Sequence, residues 1–148
     1  MKAIKPFLLV LLLALSAGCK KAQPVNPYYV SLVMNGVSKY TTNATATMSP
    51  LTSDLYTLYT TATFGAETLT FDFQPQLGVS KFQLDQAFAD YNYGGSQFTA
   101  IHYVAYSGSV NVTSLTATTV SGTFSFQATS TQDTPGQAID GAFTIKMQ

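Results

Sequence analysis

From Tyr28 onward, apolar and polar residues alternate along most of the chain, and turn-forming residues recur about every ten positions. Strict alternation places successive side chains on opposite faces of an extended strand, so the pattern predicts a half-buried antiparallel meander. In "ETLTFDF", Leu69, Phe71 and Phe73 share one face while Thr70 and Asp72 share the other. Asn35-Gly36 lies between two β-rich arms and predicts a tight hairpin, because both residues tolerate positive φ. Gly65-Ala66 predicts a second turn. Pro75 and Gly78 interrupt the pattern; short strands follow at "KFQL" and "AFADY" around an Asp85-Gln86 bend, and then a Gly94-Gly95 turn. "FTAIHYVAY" and "SGSVNVTSL" form the next expected pair, turning at or near Gly108. The closing strands, "TVSGTFSFQA" and "GAFTIKM", point Phe124, Phe126, Phe143, Ile145 and Met147 inward and flank a polar loop carrying Pro135-Gly136. About nine or ten strands and no helix are expected. A sheet of that size folds into two layers or closes on itself, so the expectation is an all-β, two-layer antiparallel β-sandwich, with a closed lipocalin-like β-barrel as the alternative.

The first residues follow a different pattern. Lys2 and Lys5 precede an apolar run, Phe7 to Leu15, and small residues follow it. As a helix that run rises about 14 Å, well short of the ~30 Å hydrocarbon layer, so it reads as a signal segment rather than a membrane span. The chain's single cysteine, Cys19, stands directly behind it in "LSAGC". This resembles the bacterial lipobox, in which a cysteine is diacylated through its sulfur and becomes the new N-terminus after cleavage. Gly18 and Ala17 match that motif; Leu15 stands one place earlier than its usual leucine, with Ser16 in between. Lipidation of Cys19 also accounts for a lone thiol in an exported chain, where a free one is open to oxidation. Two or three acyl chains make a lasting anchor.

The resulting division is a lipoprotein signal peptide over 1–18, a lipid-anchored tether over 19–27 and one all-β domain over 28–148. Pro24 and Pro27 favour an extended tether, whose residues after the cysteine reach at most about 25 to 29 Å. In bacterial sorting logic, Lys20 rather than aspartate after the cysteine resembles an outer-membrane address. The expected location is the cell envelope, on either the periplasmic or the outer face.

Composition narrows the partners. With 46% hydrophobic and 9% charged residues, the chain has enough apolar surface for a packed core. Arginine is absent, which removes the planar fork used for phosphate and base recognition and argues against a nucleic-acid partner. Loss of residues 1–18 would leave five lysines against seven acids, a mildly acidic protein.

The C-terminal strands carry a resemblance. Val120, Ser121, Gly122, Thr123, Phe124, Ser125, Phe126 and Ala128, followed by Gly141 and Phe143, are similar to the closing strands of a family of small Bacteroidota lipoproteins of unknown function. The hairpin "VMNGVSKY" is similar to that family's first, with Tyr40 where tryptophan is commoner. The resemblance implies a lipoprotein and brings no catalytic motif.

Candidate chemistry is sparse. His102 is the only histidine and Cys19 the only cysteine, so no metal site, cofactor or nucleophile–histidine pair is expected. On "FTAIHYVAY", His102 shares a face with Phe98, Ala100, Val104 and Tyr106 and reads as a core or sheet histidine. The best ligand candidates are Tyr91, Asn92, Tyr93 and Gln97, whose rings and amides around a turn would suit a sugar. The functional expectation is a non-enzymatic outer-membrane lipoprotein, a binding or envelope module. The alternatives are a carrier of an apolar ligand or a glycan-binding lipoprotein, with a hydrolase reading less favoured.

Overall fold

The computed structural model describes residues 26–50, 56–74, 79–83, 87–93, 101–130 and 136–148. Cys19, Gln97, Phe98, Ala100, the Asp85-Gln86 bend and the Gly94-Gly95 turn lie outside them. The described residues form ten strands: β1 (Tyr29–Met34), β2 (Val37–Thr41), β3 (Ala44–Pro50), β4 (Tyr56–Phe64), β5 (Glu67–Phe73), β6 (Lys81–Gln83), β7 (Ala87–Tyr93), β8 (Ile101–Leu115), β9 (Thr119–Ser130) and β10 (Gln137–Lys146). Asn35 and Gly36 take φ of 52° and 73°, the two positive values of a tight hairpin between β1 and β2.

Nine strands follow one hydrogen-bonded path, β2-β1-β10-β9-β8-β7-β5-β4-β3, and β6 pairs with β8 beside it. All the ladders are antiparallel. The path dictates the shape. Its two end strands, β2 and β3, are joined by only Thr42 and Asn43, a span of roughly 10 Å, whereas a flat sheet of this order would hold them about 38 Å apart. The sheet therefore curls back on itself into a half-barrel. The edge strand β3 reaches the end of β10, where Ala46 bridges Met147 in parallel and the Gln148 N–H donates to the Ala46 carbonyl at 3.0 Å.

The concave face is filled by Phe71, Phe73, Phe82, Phe124, Phe126 and Phe143, all at most 3% exposed. Phe71 lies at the centre, its ring 5.3 Å from both Phe124 and Phe143. Three glycines make room for these rings. Gly122 stands opposite Phe143, Gly141 opposite Phe124, and Gly108 opposite Phe126. A Cβ on Gly122 would lie 2.8 Å from Phe143 Cζ, and one on Gly141 would lie 2.8 Å from Phe124 Cε1. Each ring thus covers a bare stretch of the neighbouring strand's backbone, a device that also permits tight curvature. This pairing gives a physical reason for the Gly-x-Phe spacing of both closing strands.

Gly108 corrects one expectation. It is not a turn between two strands but a bend inside the continuous β8, at φ 146°. A register shift between Ala105 and Ser107 leaves Tyr106 as an extra, 62% exposed residue, and the bulge bends the strand around the core. That bend lets one edge of β8 pair with β7 through Ile101–Val104 and then with β6 through Ser109–Asn111.

Candidate functional site

One polar cluster interrupts the apolar inner face. Lys39 stands opposite Leu32, so it projects inward; Glu67 is in phase with the buried Leu69, Phe71 and Phe73; and Tyr91 stands opposite Leu69. The curl brings these three residues of β2, β5 and β7 together. The Lys39 ammonium pairs with the Glu67 carboxylate and donates to the Tyr91 hydroxyl at 2.9 Å, while that hydroxyl donates to Glu67. The Lys39 and Glu67 side chains are each 18% exposed. Burial, the hydrogen bond to Glu67 and the charge of that carboxylate hold the Tyr91 phenol well above its ordinary range. Lys39 also sits 4.8 Å over the centre of the Tyr93 ring, close enough for a cation–π contact.

This cluster was readable only in part. A charged residue in phase with a core stripe, as in Glu67-x-Leu69-x-Phe71, signals that a buried cation must meet it. Which cation depends on the curl, because Lys39 and Tyr91 lie on strands remote in sequence.

Of the ligand candidates, Tyr91 and Tyr93 differ sharply in exposure. Their spacing puts both on the inner face; Tyr91 is fully buried, whereas Tyr93, at the strand end, is 46% exposed. Asn92 points outward and stands opposite His102. Gln97 is outside the described residues.

His102 also needs a correction. The face it shares with Val104 and Tyr106 is the outer one; Tyr103 fills the inner side of β8. His102 Nδ1 lies 3.9 Å from Asp90 Oδ1, with the two side chains 39% and 27% exposed. Partial burial raises the Asp90 carboxyl and the nearby histidine lowers it, burial being the larger influence. Asp72, on the same outer side between Tyr59 and Phe88, is likewise raised by burial.

Two grooves flank the first hairpin. At its tip, a groove of about 290 Å³ is lined by Met34, Asn35, Val37, Lys39, Tyr93 and Tyr103, among others. On the outer side, a shallower one of about 520 Å³ runs over Ser31, Val33, Tyr40, Asp140 and Ala142, where the Tyr29 and Tyr40 rings stack at 5.8 Å. Neither His102 nor Asp90 lines either groove. Among the described residues, no group of three or more His, Cys, Asp or Glu side chains is placed to hold a metal ion, and no helix is long and apolar enough to cross a membrane.

No curated protein and no solved structure matches the chain. A family model described as "Domain of unknown function (DUF6252)" matches residues 32–145, which takes in every strand except the first residues of β1 and the end of β10. The chain belongs to this family, DUF6252.

Proposed function

We propose that this protein is a lipoprotein of the bacterial outer membrane, anchored through Cys19, whose β-domain is a non-enzymatic binding or envelope module. The observation that carries the reading is the order "FLLVLLLALSAGCKK" followed by a proline-bearing tether: an apolar segment too short to span, small residues, one cysteine, and then a β-domain whose first described strand starts at Tyr29. Residues 1–18 act as the signal peptide. Lys20 after the cysteine favours the outer membrane, and the C-terminal pattern around Val120–Phe126 favours a Bacteroidota source.

The geometry supports binding over catalysis. The contact between Asp90 and His102 lies on the outer face, outside both grooves, whereas the groove at the hairpin tip joins apolar walls to a few convergent polar groups. Within the binding class, a saccharide suits this site better than an apolar cargo, because the inner face is occupied by packed phenylalanines. Metabolic labelling with a palmitate analogue tests the anchor. The native chain takes up label and fractionates with the outer membrane, and Cys19→Ala takes up none. A labelled Cys19→Ala chain, or an unlabelled native one, refutes the reading.

A further inference from the structure

We propose that the groove at the tip of the β1–β2 hairpin is a binding site for one ring of a neutral saccharide, with Tyr93 as the stacking platform and Lys39 and Asn35 as its hydrogen-bonding groups. The proposal rests on the binding-module reading and assigns that module a place and a ligand class.

The ring of Tyr93 stands at the lip, 46% exposed. Its orientation is favoured by the Lys39 ammonium, which lies 4.8 Å from its centroid and is itself tied to Glu67 and Tyr91. A pre-positioned, half-exposed tyrosine offers a flat apolar surface beside a polar edge, which matches the apolar face and hydroxyl rim of a pyranose ring. Met34 and Val37 complete the apolar wall, and Asn35 supplies an amide able to donate and accept.

Charge decides between ligand classes. Lys39 is the groove's only ammonium among its lining residues, and its charge is already matched by Glu67. An anionic ligand, a fatty-acid carboxylate included, would have to displace that carboxylate and leave it unpaired with 18% of its side chain exposed. A neutral hydroxyl adds to the existing hydrogen bonds without separating the pair. Size points the same way. About 290 Å³ is at the low end for small-molecule sites, enough for one ring of a chain whose remainder stays in solvent.

The test uses the full-length chain in a non-glycosidic detergent, with saturation-transfer difference NMR and titration calorimetry. The probes are maltohexaose, cellohexaose and mannohexaose, with hexagalacturonate and palmitate as charged comparisons. The expected result is saturable binding of at least one neutral hexasaccharide, weakened tenfold or more by Tyr93→Ala, retained by Tyr93→Phe, and unchanged by Phe88→Ala on the outer face. The proposal is overturned if no neutral hexasaccharide binds, if only hexagalacturonate or palmitate binds, or if Tyr93→Ala leaves affinity intact. Each of those outcomes is independent of palmitate labelling at Cys19, so the site assignment and the anchor reading fail separately.

Discussion

Replacing Gly122 by alanine tests the packing that shapes the half-barrel. The added methyl would lie 2.8 Å from Phe143 Cζ and 3.1 Å from the Asn111 carbonyl carbon, and would overlap that residue's carbonyl oxygen. Ordinary van der Waals separation is about 3.5 to 4 Å, so contacts on two sides must open together. Neither is cheap to move. Phe143 is 1% exposed and stacked among the other rings, and Asn111 is held in both the β8–β9 and β6–β8 ladders. Overpacking of this kind costs about 1 to 3 kcal/mol, and because one of the obstacles is backbone the upper end, about 3 kcal/mol, is expected. Gly36→Ala is the control: nothing lies within 4 Å of its added methyl, so it carries only the strain of a positive φ, about 1 kcal/mol. Urea denaturation followed by far-ultraviolet circular dichroism reads the difference. With a slope of about 2 kcal/mol/M, Gly122→Ala shifts the midpoint down by about 1.5 M and Gly36→Ala by about 0.5 M. A Gly122→Ala midpoint no lower than that of Gly36→Ala would refute the claim that phenylalanine rings occupy the space above the strand glycines.

Three further substitutions probe polar groups on the two faces of the sheet. Tyr91→Phe removes a donor to Glu67 and an acceptor for Lys39 while leaving their ion pair, and should cost about 1 to 2 kcal/mol in the same denaturation assay; an unchanged midpoint would remove the cluster from the forces holding the curl. Thr60 is 1% exposed and its hydroxyl finds no hydrogen-bond partner among the described residues, so the near-isosteric Thr60→Val should stabilise by about 1 kcal/mol, and a loss of stability would reveal an unseen partner for that hydroxyl. Burial raises the Asp72 carboxyl above its ordinary 3.8, so the native state holds that proton more tightly than the unfolded chain does. Its contribution is therefore present at low pH and lost as pH rises through the native value. Asp72→Asn should melt higher than the native chain at neutral pH, with the gap closing below about pH 4; a gap that widens on acidification would contradict the sign.

The local rules were legible and the closure was not. Alternation placed Leu69, Phe71, Phe73, Phe124, Phe126, Phe143 and Ile145 on the buried face, and all are buried. Asn35-Gly36 turned as its dihedral preferences require. Gly108 misled because a glycine between two β-rich runs serves equally as a hairpin turn or as a bulge beside a bulky partner; only the facing Phe126 distinguishes them. The placement of Tyr91 and Tyr93 was open for a related reason. Their spacing showed that they share a face, but which face is set by the strands on either side, β5 and β8, and by the Lys39 and Glu67 groups that make burial of a phenol tolerable. The first hairpin's place beside β10 likewise depends on a pairing between the two ends of the domain, which no local pattern encodes.

The proposed anchor turns on the covalent state of one residue. Mass spectrometry of the N-terminal peptide of the mature protein, purified from membranes of a native-type host, reads that state directly. A chain that begins at Cys19, lacks residues 1–18 and carries the mass of a diacylglyceryl group on its sulfur is the predicted result. A chain that retains Met1, is cut at another position, or begins at an unmodified Cys19 would contradict it.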